Sequence, residues 1–283
     1  MRSLLYVPGD RPDRLAKAWE RGSDGLIVDL EDAVAPARKA EARATVGEWL
    51  AGQGASRSQR ELRDRVWLRI TAENPGADIA AISASIGAVM VPKAEPDTVA
   101  RVAALLDGHE AAAGLEAGSI SLVPLIETAR GLLDAPRLAA MRRVRTLAIG
   151  RADLAGDLGF RGDLDGAEFR GLMLQLVVAC AAAGIAAPVA PTSTDFRDLD
   201  ALRESTARLL ALGFRGRTAI HPAQVPVINE VFSPSEEEVV RARRLVEEFE
   251  RSVREGSGVF VDEGRMVDAA VIRGAREVLN RAG

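Results

Sequence analysis

Cysteine is nearly absent. Cys180 is the only one in 283 residues, so no intramolecular disulfide can form, and a reducing compartment suits the chain. It sits in Leu172-Met173-Leu174-Gln175-Leu176-Val177-Val178-Ala179-Cys180, an apolar helical run, and reads as core filler, not as a nucleophile. The first residues lack the basic segment, apolar stretch and small-residue cleavage site of a secretory leader. The longest apolar run, 176–190, is broken by Gly184 and Pro188 and is too short to span a bilayer. A cytoplasmic protein without membrane contact is expected. Charge of one sign is also lacking: 37 Lys and Arg against 41 Asp and Glu leave a net −4, with both signs interspersed. Nothing in that balance suggests a nucleic-acid or anionic-membrane surface, and it leaves room for a locally basic site for small anions. No glycine-rich fingerprint follows any apolar run, which removes the main argument for a dinucleotide-binding fold.

What is present is an ordinary globular composition, 47% apolar and 28% charged. Short apolar runs at 4–7, 25–30, 66–70, 88–91, 121–126, 146–149, 187–190 and 217–220 alternate with helical stretches. The helices are expected at 11–21, 36–50, 96–109, 129–141, 168–183 and 195–212, several opening on Pro or Asp and stopping near Gly. The polar stretch 52–64 reads as a solvated connection. Near-continuous apolar runs are those of parallel strands buried on both faces. Eight β/α alternations favour a closed (β/α)₈ barrel, a TIM barrel, over an open sheet, and about 250 residues suffice for one. The barrel is expected over residues 1–232. Residues 233–283 form an appendage: a helix opening at Ser235, a ribbon of 259–261 and 265–267, and a last helix from about Ala269.

In such barrels chemistry collects at the carboxyl ends of the strands. Those ends carry Asp29-Leu30-Glu31-Asp32, Arg69, Lys93, Glu127, Arg151-Ala152-Asp153 and His221-Pro222. Glu127 and Asp153 follow adjacent strands and have no His or Cys cluster beside them. Two hard carboxylates of this kind suit Mg²⁺ or Mn²⁺; the bland alternative is a pair of salt-bridged rim carboxylates. Arg69, inside an apolar strand, suits a substrate carboxylate or carbonyl oxygen, or else a structural ion pair with Glu31 or Asp32. Glu31 and Asp32 would orient waters around the metal or pair with basic neighbours. Lys93 would hold a phosphate or cap a rim ion pair. His221, fixed by Pro222, reads as structural before catalytic.

Several motifs together resemble the citrate lyase β-subunit family, which includes malyl-CoA and citramalyl-CoA lyases. They are Arg2-Ser3-Leu4-Leu5-Tyr6-Val7-Pro8-Gly9, Asp29-Leu30-Glu31-Asp32-Ala33-Val34, Leu68-Arg69-Ile70, Pro124-Leu125-Ile126-Glu127-Thr128, Ala219-Ile220-His221-Pro222-Ala223-Gln224 and Gly264-Arg265-Met266-Val267-Asp268-Ala269. The resemblance runs over essentially the whole chain. It implies a Mg²⁺ on Glu127 and Asp153 and a keto-acid product such as oxaloacetate or glyoxylate on Arg69. It also implies a coenzyme A thioester substrate, and Asp268 reaching a neighbouring subunit's site to protonate the thioester enolate. A homo-oligomer, a trimer, follows from that arrangement. The base that takes the hydroxyl proton stays open between Glu31 and a water at the metal. Many relatives carry an acidic residue where this chain has Ala152. A thioester hydrolase, a keto-acid aldolase acting without coenzyme A, and a non-catalytic subunit of a larger citrate lyase assembly are the competing expectations.

Overall fold

The computed structural model describes residues 1–53, 58–82 and 86–282. Eight parallel strands close into one barrel in chain order: β1 Ser3–Pro8, β2 Gly25–Asp29, β3 Val66–Arg69, β4 Ala88–Val91, β5 Ser121–Ile126, β6 Ala148–Ile149, β7 Val189–Ala190 and β8 Gly216–Ala219. β8 pairs back onto β1 through Leu5 opposite Ala219, so no edge is left open. The (β/α)₈ barrel expected from the run pattern is the fold. Its interior is filled by Leu4, Ile27, Trp67, Ala88, Met90, Val123, Leu125, Ala148 and Val189, inward residues from seven of the strands that make a packed core and not a pore. Cys180 lies buried on the helix Ala167–Ala183, and burial pushes its thiol up to about 11.

Local differences from the run pattern have local causes. The helix expected at 11–21 is Pro12–Ala16 followed by a 3₁₀ turn, Ala18–Arg21, closed by Gly22 at φ 73°. The one expected at 129–141 divides into Ala129–Leu133 and Ala135–Ala139, because Pro136 has no N–H to continue the ladder. The stretch 52–64, expected as a connection, contains the start of a helix, Gln59–Arg65. Ser58 and Glu61 cap it reciprocally, and residues 54–57 lie outside the described residues. The strands expected at 146–149 and 187–190 shorten to two residues each. Three further helices lie between the expected ones: Pro75–Ala80, Arg151–Asp157 and Gln224–Phe232.

The chain divides into two compact units, Met1–Asn229 and Glu230–Gly283. In the second, Ser235 and Glu238 form a capping box on the helix Glu236–Arg254. β9 Phe260–Asp262 pairs antiparallel with β10 Arg265–Val267, one residue later on the first strand than expected. Glu263 and Gly264 turn the ribbon at φ 47° and 77°, both in the left-handed region that a two-residue hairpin needs. Arg244 clamps Asp262 to the long helix, and Ala269–Ala282 completes the unit. Val240, Val253, Val261, Met266 and Val271 stay exposed on it. Among the described residues no helix is long and apolar enough to cross a membrane.

Candidate active site

Parallel strands in register deliver their last residues to one rim. Asp29 stands opposite Arg69 on β2 and β3, and Ile126 stands opposite Ile149, so Glu127 and the Gly150–Asp153 turn emerge side by side. A cavity of about 450 Å³ opens there, with Tyr6, Asp29, Asp32, Arg69, Glu127, Arg151, Asp153, Leu164, Thr192, Thr194 and Thr218 in its wall.

Arg69 is the centre of the acidic side. Its Nε and Nη2 donate to the two oxygens of Asp29 at 2.8 and 2.7 Å, a bidentate pair in which Asp29 is 1% exposed. Nη1 lies 2.9 Å from Glu31 Oε2 and donates to Asp32 Oδ2 at 3.2 Å. The Tyr6 ring lies 5.0 Å beneath the guanidinium. The ion pair with Glu31 and Asp32, one of the two sequence readings of Arg69, is therefore present. Its closest partner, Asp29, follows not from residue type but from strand register, which sets it opposite Arg69. By donor count, one Nη2 N–H remains for a ligand.

Glu127 is 4% exposed and accepts the backbone N–H of Lys93 at 2.9 Å. That contact uses Lys93's main chain, held at φ 44°; its ammonium is exposed and absent from the cavity wall. Gly150 lies against the same carboxylate: a Cβ there would come within 2.4 Å of Glu127 Oε1. Asp153, exposed on the first turn of Arg151–Asp157, completes the pair. Among the described residues no group of three or more His, Cys, Asp or Glu is placed to cage a metal. The donor set is two hard carboxylates open to a cavity, which fits an ion that keeps several waters, as Mg²⁺ does. Burial pushes Glu127 up to about 7, opposed by the Lys93 N–H and increased by Asp153. Burial likewise pushes Glu31 up to about 8, opposed by Arg69.

Both shifts are upward from 4.5, so the protonated forms favour the fold. That stability is complete below about pH 4.5 and is lost as pH rises through 7 and 8. The metal-free protein should therefore lose roughly 5 °C in Tm between pH 5 and 8, and Mg²⁺ should restore more at pH 8 than at pH 6. Scanning calorimetry checks this; a Mg²⁺ effect equal at both pH values, or an unchanged slope in Glu127→Gln, would contradict it.

The other sequence candidates are placed as follows. His221 Nδ1 accepts from Ala223 N–H at 3.1 Å, and the ring stacks on Phe196 with centroids 4.7 Å apart. It borders a second cavity of about 350 Å³ at the β1 and β8 ends, where Arg14, Lys17 and Arg21 line the wall. Tyr6 and Ile220 belong to both cavities. Asp268, in the second unit, accepts from the N–H groups of Ala270 and Val271 at 2.8 and 3.2 Å and so caps the last helix.

Residues 2–222 match the HpcH/HpaI aldolase/citrate lyase family. The chain is 35% identical to a (3S)-malyl-CoA thioesterase of Cereibacter sphaeroides, over 99% of this chain and 94% of that one. It is 33% identical to the L-malyl-CoA/beta-methylmalyl-CoA lyase of Rhodobacter capsulatus, again over 99% and 94%. Among solved structures, Mycobacterium tuberculosis CitE, in complex with magnesium, acetoacetate and coenzyme A, superposes with a TM-score of 0.78 at 31% identity, covering 100% of both chains. Barrel, rim carboxylates and full-length similarity agree, and the chain belongs to the HpcH/HpaI aldolase/citrate lyase family.

Proposed function

We propose that the chain is a Mg²⁺-dependent carbon–carbon lyase that cleaves a β-hydroxyacyl thioester of the malyl, citramalyl or citryl type into a 2-keto acid and an acyl thioester. The observation that carries it is the convergence of Glu127, Asp153 and Arg69 on one cavity, in a chain similar along its length to a malyl-CoA lyase. A Mg²⁺ held by Glu127 and Asp153 would polarise the substrate oxygen that becomes the keto group. Arg69, kept rigid by Asp29, offers its remaining Nη2 N–H to the same end of the substrate. Cleavage breaks the bond between the carbinol carbon and the thioester's α-carbon. The hydroxyl proton leaves to a base, and the bonding pair passes to the thioester enolate. Protonation of the α-carbon then releases the acyl thioester, with no water consumed. Glu31, beside Arg69 and with its carboxyl pushed up, suits a proton-accepting role once ionised. The second cavity supports coenzyme A as the carrier: Arg14, Lys17 and Arg21 suit its phosphates, and the shared wall of Tyr6 and Ile220 adjoins the reaction cavity.

The thioesterase reading is kept because the Cereibacter relative carries that name. In it water attacks the thioester carbonyl, the C–S bond breaks, and the free hydroxyacid and the thiol leave. Product analysis separates the two: with malyl-CoA, a lyase releases glyoxylate and acetyl-CoA and a thioesterase releases malate and free coenzyme A. EDTA should abolish either activity and Mg²⁺ restore it; turnover indifferent to both sinks the metal reading.

The site is shared between subunits of a homo-oligomer, a trimer, with Asp268 protonating the enolate in a neighbour's barrel. The exposed Val240, Val261 and Met266 of the second unit support burial against another copy. Mixing inactive Asp268→Asn chains with inactive Glu127→Gln chains under subunit exchange should return part of the activity. No return despite proven exchange would place Asp268 outside a shared site.

A further inference from the structure

Two arginines line the reaction cavity, Arg69 and Arg151, and their donors are committed differently. A guanidinium has five N–H donors, and its Nε–Nη2 edge presents two of them in parallel, matched to the two oxygens of a carboxylate. On Arg69 that edge is taken by Asp29, and Nη1 serves Glu31 and Asp32, so a single N–H is left. Arg151 makes one contact among the described residues: Nη1 donates to Asp165 Oδ1 at 2.7 Å. Its Nε–Nη2 edge is unclaimed. Those two atoms are not sealed off, as the partnerless Nη2 of Arg217 is; they reach open space, although the side chain is only 11% exposed. A cation so nearly buried is poorly compensated by one contact to a partly exposed carboxylate, and an anion at the open edge would offset its lost hydration.

The surroundings favour that anion. Arg217 is 0% exposed and has no carboxylate partner among the described residues; it donates to Pro191 O, Ser205 Oγ and Thr206 Oγ1 at 3.0, 2.9 and 2.7 Å. Burial and then Arg151 push its pKa down to about 10, with Asp165 opposing, so two guanidinium groups face one acid on this side. Thr192 and Thr218 satisfy each other at 2.6 Å, oxygen to oxygen. The Thr194 hydroxyl lines the same wall and has no partner among the described residues. We propose that Arg151 is a further substrate-binding residue, whose Nε–Nη2 edge grips the carboxylate of the 2-keto acid with the Thr194 hydroxyl beside it, while the single free N–H of Arg69 meets the neighbouring oxygen. This rests on the lyase reading for the identity of the ligand, and on the donor count for the choice of arginine. The competing role for Arg151 is to anchor, through Asp165, the segment 158–166 that brings Leu164 to the wall.

Calorimetry of pyruvate binding to the Mg²⁺-loaded protein separates the two roles. Arg151→Met should weaken pyruvate about tenfold to a hundredfold, the range for hydrogen bonds to a charged group. It should bind Mg²⁺ at least as tightly as the parent, since a cation has left the cavity that holds the two carboxylates. Arg151→Lys, a point charge without the fork, should recover part of the pyruvate loss. Asp165→Asn weakens the anchor and keeps the guanidinium, so its pyruvate affinity should hold or tighten. Unchanged pyruvate affinity in Arg151→Met overturns the proposal, as does an equal loss in Asp165→Asn, or a parent that binds no pyruvate. Turnover tests the lyase reading separately. A parent that cleaves malyl-CoA with a kcat/KM unmoved by Arg151→Met keeps that reading and overturns the role of the arginine. Arg151-dependent pyruvate binding without thioester cleavage upholds the arginine and sinks the lyase reading.

Discussion

Glu127→Gln and Asp153→Asn should each lower Mg²⁺-dependent thioester cleavage about a thousandfold while leaving the barrel folded. Charge stabilisation by a catalytic divalent cation amounts to several kcal/mol, and each 1.36 kcal/mol is a factor of ten in rate. On the proposed metal reading two carboxylates hold this ion, so the loss of either removes half of that charge. The fold should survive because Glu127 is itself costly in its charged form: burial pushes it up to about 7, and a neutral amide can still accept the Lys93 N–H. Gly150→Ala is the sharper variant. It removes no donor, yet its Cβ would lie 2.6 Å from Glu127 Cγ and 2.9 Å from Cδ as well as against Oε1, so the buried side chain from Cγ outward must shift. Turnover and Mg²⁺ affinity should fall together. Wild-type turnover in Gly150→Ala, or in either carboxylate variant, would take the metal away from this pair.

Arg69→Met should destabilise the protein by about 3 kcal/mol, since it leaves the buried Asp29 carboxylate without a cation, held only by the N–H groups of Glu31 and Ala33. At roughly 2–4 °C per kcal/mol for a chain of this size, Tm should fall by roughly 10 °C. Arg69→Lys separates structure from function. An ammonium can reach Asp29 but cannot span both its oxygens while also holding Glu31 and presenting a donor to substrate. Its stability loss should be the smaller. Keto-acid affinity should still fall by about 1.5–3 kcal/mol, the range for hydrogen bonds to charged groups. Thermal denaturation and keto-acid calorimetry on both variants check this. If Arg69→Lys keeps full keto-acid affinity, the guanidinium serves only Asp29 and its neighbours. If Arg69→Met is as stable as the parent, the bidentate pair contributes nothing to the fold.

The barrel was legible because parallel strands buried on both faces must be apolar throughout, as Leu26-Ile27-Val28 and Leu122-Val123 are, and because three of the runs lead directly into a charged residue, Asp29, Arg69 or Glu127. Residue types at the rim were legible for the same reason: Glu127 and Asp153 stand just past Ile126 and Ile149. Less legible was the helix Arg151–Asp157, whose polar Arg-Ala-Asp-Leu-Ala-Gly-Asp sequence also suits a site loop. Lys93 shows the limit of reading by residue type. Its position at a strand end was evident, but a backbone at φ 44° brings the amide, and not the ammonium, to Glu127.

From sequence alone came the fold class and the residue types that stand at the strand ends, the carboxylates of Glu127 and Asp153 among them. These depend on alternation and residue type, which a chain carries locally. The engaged state of Arg69, the room at Gly150 for the Glu127 carboxylate and the Thr192–Thr218 pair were decided only in three dimensions. Each joins residues from 23 to 40 positions apart, and the partner is chosen by strand register and barrel closure, which no stretch of the chain specifies by itself.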